Sequence, residues 1–273
     1  CPCPLKERVM KGERYSSRTR FLSFSGTSFG KDSALALYEI QRSQRYEILS
    51  LLTTITEDYD RVSLHGVRRT LVEQQAKSLG LPLQEVFIPK DCSNEEYESR
   101  MKETLIRFKQ AGVSRVVFGD IFLEEIRKYR ENNLSKLEMT GLFPIWGRDS
   151  AELTRSFIAL GFQAIVTCID TKVLDKSFVG RIIDESFLAQ LPPNVDPGGE
   201  NGEFHSFVFD GPIFRWRIVY KPGKQVLRGS FYFCDLLPTK EIKPKREEGK
   251  IEGKNERVKE RRSLSYKPIP PLL

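Results

Sequence analysis

The stretch Phe21-Leu22-Ser23-Phe24-Ser25-Gly26-Thr27-Ser28-Phe29-Gly30-Lys31-Asp32-Ser33-Ala34-Leu35-Ala36-Leu37 passes from a short apolar run, through glycines and hydroxyls, into apolar residues at helical spacing. It predicts a strand, a tight loop and a helix N-terminus in direct succession. The same alternation recurs downstream. Residues 48–53 read as a second strand, and 62–79 as a helix stopped by Gly80. Residues 83–88 form a third strand between Pro82 and Pro89. Ser93 with Glu96 is a capping box for a helix to about residue 110, and 113–118 is a fourth strand ahead of Gly119-Asp120. A helix over 121–136 follows, then a helix capped by Asp149 with Glu152 and a fifth strand over 162–168. Strands apolar on both faces that alternate with helices imply a Rossmann-like α/β fold, a parallel sheet with helices on both faces.

Beyond it the character changes. Residues 191–199 are turn-rich, and 214–220 and 225–233 read as a β-hairpin turning at Lys221-Pro222-Gly223-Lys224, a small C-terminal mixed α+β element. The expected division is a basic extension (1–20), the Rossmann-like domain (21–170), a smaller substrate-side element (171–238) and a basic, disordered tail (239–273).

The formal net charge of +7 invites a nucleic-acid reading. By segment, residues 1–20 carry +4 and 239–273 carry +5, which leaves −2 for 21–238. The basic excess belongs to the ends, which argues against a nucleic-acid partner. No apolar run of about 18 residues is present, and the first twenty residues do not read as a secretory signal, so no membrane is expected. Cys1, Cys3, Cys92, Cys168 and Cys234 are scattered, which points to neither a disulfide framework nor a zinc site and makes a reducing cytoplasm the expected location.

In a doubly wound sheet, ligands bind beyond the carboxyl ends of the strands, and anions sit on the N-termini of the helices that follow. Residues 25–33 occupy that position. Gly26 and Gly30 let the backbone approach a phosphate, Ser25, Ser28 and Ser33 add hydroxyl donors, Lys31 adds positive charge, and Asp32 can help hold Mg²⁺. A Walker A loop needs four residues between its glycines and Ser or Thr after the lysine, and neither condition is met.

The loop resembles the PP-loop, Ser-Gly-Gly-x-Asp-Ser, of the N-type ATP pyrophosphatases, whose domains are of the HUP type. Its continuation is similar to that of the diphthine-ammonia ligase family. Two registers stay open. Either Ser25-Gly26 begin the motif with residues 27–29 inserted, or Ser28 begins it and Phe29 stands in for a glycine. Further blocks carry the likeness: Arg61 to Arg68 with His65, Gln74-Gln75-Ala76, Cys92 to Glu98, Phe118-Gly119-Asp120-Ile121, Phe143 to Asp149 with Trp146 and Arg148, and Gly199 to Val208. They run in order from residue 21 to about 214. Residues 119–131 look most like the family's short bacterial branch.

The resemblance implies ATP-dependent amidation. A substrate carboxylate attacks the α-phosphate, pyrophosphate leaves, and ammonia displaces AMP from the acyl-adenylate. In the named member the acceptor is diphthine, a modified histidine of translation elongation factor 2. The implied requirements are ATP, Mg²⁺, ammonia and a carboxylate acceptor. If 203–209 is extended, Glu203 and His205 share a face and can position ammonia or the acyl-adenylate, with Glu200 in the preceding turn. The family commonly has a cysteine where Gly199 stands. Asp32, Glu200, Glu203 and His205 are therefore the catalytic candidates. Asp120 can hold Mg²⁺ or substrate, or else cap the next helix. By fold analogy Thr53 and Thr54 contact adenosine. His65 reads as structural, Arg148 as a candidate anion contact, and the charges of 124–130 as a solvated face. The rival readings are a PP-loop tRNA-modifying enzyme and an ATP-binding protein that has lost turnover.

Overall fold

Chain order in the computed structural model, which describes residues 19–24, 30–63 and 65–239, follows the alternation of apolar runs and amphipathic segments. The first half contains β1 (Thr19–Phe24), α1 (Lys31–Ser43), β2 (Tyr46–Thr56), β3 (Arg61–Val62), α2 (Arg69–Leu79), β4 (Leu83–Ile88), α3 (Asn94–Gln110), β5 (Arg115–Val117), α4 (Glu124–Ser135) and β6 (Thr140–Leu142). Then come α5 (Ser150–Ala159), β7 (Gln163–Asp170), α6 (Glu185–Gln190), β8 (Phe204–Asp210), β9 (Tyr220–Arg228) and β10 (Phe231–Pro238). The expected N-terminal extension up to residue 18, the tail from residue 240, and Cys1 and Cys3 lie outside the described residues. Cys92, Cys168 and Cys234 are free thiols, and no described helix is long and apolar enough to cross a membrane.

Parallel pairing gives the order β4-β2-β1-β5-β6, and β3 runs antiparallel to the end of β2 through Ile55↔Val62. The chain builds outward from β1 to β2 and β4, then returns to the other side of β1 with β5. The sheet therefore has its switch point between the carboxyl ends of β1 and β5, where a ligand crevice opens in this architecture. Leu51 and Ile55 of β2 face the side packed by α1 and α2, while Leu49 and Leu52 face the side packed by α3 and the end of α4. Helices thus cover both faces.

Three expected elements need correction. Residues 162–168 do not add a fifth parallel strand, because β7 pairs antiparallel with both β8 and β10 in a second sheet ordered β8-β7-β10-β9. The fifth parallel strand is β6, three residues long and too short to show a period. Helix α2 begins at Arg69 rather than at 62, because residues 61–62 are drawn into the sheet and Gly66 adopts φ +67°. The hairpin turns at Gly229 (φ +60°), and Pro222 lies within β9 opposite Leu236. Proline is tolerated there because β9 is an edge strand.

Candidate active site

The site forms where α1 begins. Gly30, its N-cap, offers no side-chain oxygen to the first-turn N–H groups. Gly119, just past β5, presses its backbone onto that turn. A Cβ at Gly119 would lie 2.8 Å from the Asp32 carbonyl carbon and from the Ser33 nitrogen, so only glycine permits this approach. Gly30, Asp32, Ser33, Gly119 and Asp120 thereby line one pocket of about 250 Å³, together with His65, Glu200 and His205, while the Lys31 side chain lies buried behind it.

Lys31 is 2% exposed, yet it contacts the Asp32 carboxylate and lies 3.7 Å from Glu200 Oε1. Burial favours its neutral form, but Asp32, Glu200 and Asp196 outweigh that and raise its pKa, so the ammonium stays charged. Its backbone N–H donates to Ser206 Oγ at 3.3 Å, which joins α1 to β8.

Glu200 is delivered by a turn that the sequence ties internally. Asp196 Oδ1 accepts from the Gly198 and Glu200 nitrogens at 2.8 and 3.3 Å, while Asp196 Oδ2 accepts from Ser150 Oγ of α5 at 2.6 Å. A Cβ at Gly198 would sit 3.2 Å from Lys31 Nζ, so the turn closes directly over the ammonium. Burial first, then the negative charges of Asp32, Asp196 and Asp120 against the pull of Lys31, push the Glu200 carboxyl up to about 8.

Glu203 is placed otherwise than the strand alternation implies. β8 starts at Phe204, so Glu203 belongs to the turn. Its carboxylate accepts from Asp196 N at 3.0 Å, Asn201 N at 2.9 Å and Asn201 Nδ2 at 2.9 Å. It is outside the pocket lining and holds the loop that presents Glu200.

His205 does face the pocket, and it meets the chain's other histidine. The rings of His65 and His205 stack with centroids 4.1 Å apart and planes tilted by 30°. Burial, then Lys31, lowers the His205 pKa to about 4. Burial, then His205, lowers that of His65, with a hydrogen bond to the Ser206 backbone opposing. Both rings are neutral at pH 7. His65, expected to be structural, is buried and also lines the pocket beside His205.

Asp120 pairs with Arg130, Oδ2 to Nε at 2.7 Å and Oδ1 to Nη2 at 3.1 Å. Burial raises the Asp120 pKa, Arg130 lowers it, and Asp32 adds to the rise. Asp120 does not cap the next helix, whose N-cap is Leu123. Arg130, expected on a solvated face, instead lies over the Phe118 ring at 4.5 Å. Arg148 meets Glu39 at 3.5 Å, and the Arg127 guanidinium lies 4.7 Å from the Trp146 ring centre. Neither Arg148 nor Trp146 lines the pocket.

Thr53 is fully buried one residue past the last β1–β2 partner, Phe24↔Leu52, and its Oγ1 finds no hydrogen-bond partner among the described residues. Thr54 lines an adjoining cleft. Ser25, Gly26 and Ser28 lie outside the described residues. No cluster of three or more His, Cys, Asp or Glu side chains has metal-binding geometry among the described residues. The donors present are carboxylate oxygens; Asp32 disfavours ionisation of Asp120, and Asp32 and Asp120 both disfavour that of Glu200. Such a set suits a hard cation bound mainly by water and phosphate, as Mg²⁺ is.

The models for the N-terminal and C-terminal domains of diphthamide synthase match residues 23–140 and 149–242. A diphthine–ammonia ligase of Rattus norvegicus is 24% identical over 233 residues, covering 77% of this chain and 86% of its own. One of Danio rerio is 25% identical over 233 residues (77% and 90%), and one of Schizosaccharomyces pombe is 26% identical over 250 residues (85% and 41%). With both domain models matched in order, the chain belongs to the diphthamide synthase family and is an enzyme of the carbon–nitrogen ligase type.

Proposed function

We propose that this enzyme adenylates a carboxylate with ATP and then transfers ammonia to the activated acyl group. The observation that carries the reading is the convergence of Lys31, Asp32, Gly119, Glu200 and His205 on the N-terminus of α1 at the switch point. A helix N-terminus approached by a glycine backbone and a buried ammonium suits a polyphosphate. Thr53, with its unmatched hydroxyl beside the end of β1, is the adenosine contact in this reading.

The acceptor carboxylate oxygen attacks the α-phosphorus, and pyrophosphate leaves carrying the electron pair. Lys31 stabilises the charge that builds on the leaving group. It is fixed in place beforehand, so little reorganisation accompanies the step. Mg²⁺ held by Asp32 and Asp120 would neutralise further phosphate charge. Ammonia then attacks the acyl carbon, and AMP departs. An ammonia nitrogen becomes cationic on attack and must then lose one proton; if it arrives as ammonium it must lose another beforehand. Glu200, with a pKa of about 8, is mostly protonated at pH 7 and takes that proton only in its ionised fraction, which grows as pH rises toward 8, while neutral His205 can accept a hydrogen bond from the same nitrogen.

ATP–pyrophosphate exchange with candidate acids tests this. Asp32→Ala should lower exchange by about 100-fold or more, while the circular dichroism spectrum stays that of the parent. Exchange at the parent rate in that variant removes the PP-loop assignment. Tight ATP binding with no AMP formed from any acid would favour a nucleotide-binding protein without turnover.

A further inference from the structure

Asp120 stands with Asp32 at the place suited to Mg²⁺, yet both of its carboxylate oxygens are already engaged. Arg130 Nε lies 2.7 Å from Oδ2, and Arg130 Nη2 donates to Oδ1 at 3.1 Å. Asp32 differs, since it meets Lys31 through Oδ1. Two cations on one carboxylate repel each other, so a divalent ion gains Asp120 fully only as the guanidinium leaves it.

The pocket has a use for that guanidinium elsewhere. Asp32, Asp120 and Glu200 line it with carboxylates, and among the described residues Arg130 is its one lining Lys or Arg side chain. Lys31 lies buried behind the lining. A triphosphate entering this space meets an excess of negative charge unless Arg130 turns toward it. A guanidinium is well matched to phosphate, because its planar donors engage two oxygens at once.

Arg130 also has room to change partners. It borders the site pocket on one side and, on the other, a second cavity of about 390 Å³ between α3 and α4, lined by Tyr97, Met101, Leu105 and Leu134. Phe118 borders both spaces, and the guanidinium rests over its ring at 4.5 Å. The attraction of a cation to that ring face does not depend on Asp120, so it supports the side chain in either position.

We infer that Arg130 is a phosphate-binding residue parked on Asp120, and that nucleotide binding exchanges the partners: Asp120 passes to Mg²⁺ and the released guanidinium passes to phosphate oxygens. The inference rests on the proposed function in placing a triphosphate at the start of α1. It adds a coupling between the two ligands. Metal without nucleotide must compete with Arg130 for Asp120, and nucleotide without metal must compete with Asp120 for Arg130, so each favours the binding of the other.

Two titrations at pH 8 test this, Mn²⁺ alone followed by electron paramagnetic resonance and Mg²⁺ with ATP followed by calorimetry. Arg130→Gln should bind Mn²⁺ alone about tenfold more tightly and Mg²⁺–ATP about tenfold or more weakly than the parent. A brace that only holds α4 to the loop after β5 would weaken both or leave both unchanged, so opposite signs identify the exchange. Arg130→Lys keeps the charge without the paired donors and should shift both affinities in the same directions by less. It takes the place of the Gln variant if circular dichroism shows the latter unfolded. Mn²⁺ binding that is unchanged, weakened or undetectable in the variant, or unchanged Mg²⁺–ATP affinity, overturns the exchange while leaving the nucleotide site standing. Absence of ATP binding to the parent overturns the placement of the nucleotide, and the exchange with it.

Discussion

Glu200 is an acid whose proton is held by the fold. Burial, then neighbouring carboxylates, move it from an ordinary 4.5 to about 8. Between those values the native state binds a proton that the unfolded chain has released. The stability this contributes is present below the unfolded pKa and is lost as pH rises through about 8, by at most ~1.4 kcal/mol per pH unit for one full proton. Glu200→Gln removes the titration and should flatten the decline. The comparison is urea midpoints of parent and variant at pH 5, 7 and 8.5, and parallel curves would show that Glu200 titrates normally. The two histidines act with the opposite sign. Their pKa values are lowered, so their contribution is present above 6.5 and is lost as pH falls, for His205 through about 4. At pH 7, then, Glu200 is mostly protonated while both histidine rings are neutral.

Gly119 shows how one element sets another's position. Its φ is not positive, so its necessity comes from the close approach of the loop after β5 to the first turn of α1. Gly119→Ala puts a methyl group into backbone 2.8 Å away, and backbone cannot rotate aside. The expected cost is about 1–3 kcal/mol, and under the proposed adenylation ATP binding should weaken as well, because the first turn of α1 is displaced. A urea midpoint within error of the parent would mean that the two segments separate freely. What could be read in the sequence at this scale follows the range of the interactions. The caps are local, and both form, Ser93 Oγ accepting from Glu96 N and Asp149 Oδ1 from Glu152 N. Lys31, Asp32, Gly119 and His205 were legible because strand ends and motif spacing bring them to one edge. His65 and Arg130 were not, because their roles depend on contacts across the fold. For β7, apolar alternation identifies a strand but not its sheet, and for β9 the Pro-Gly turn signal was overridden by pairing on an edge that accepts proline.

Neither domain of the whole molecule completes the site or the core alone. Lys31, Asp32, His65 and Asp120 lie within the region matched by the N-terminal family model, and Glu200, His205 and Ser206 within that matched by the C-terminal one. The buried side chains follow the same division. Leu35 and Leu37 of α1 and Leu71 and Val72 of α2 belong to one continuous cluster with Phe157 of α5, Ile165 of β7 and Phe207 and Val208 of β8. The Gln75 amide of α2 donates to the Val208 carbonyl, and Asp235 of β10 clamps Arg61 and Arg68 ahead of α2, its carboxyl held down at about 2 by those guanidinium groups against the opposing effect of burial. Separating the two sheets would expose this shared apolar surface on both sides, which disfavours a state with one half folded. Scanning calorimetry should therefore record one transition whose calorimetric and van't Hoff enthalpies agree, and a chain ending at residue 147 should lack a cooperative transition. Addition of ATP should raise the midpoint of the single transition as a unit, because a ligand that binds only the assembled site stabilises both halves. Two resolved transitions, with ATP moving only the one that belongs to the parallel sheet, would mean that the nucleotide site is complete without the Glu200 turn and that the second sheet serves the acceptor alone.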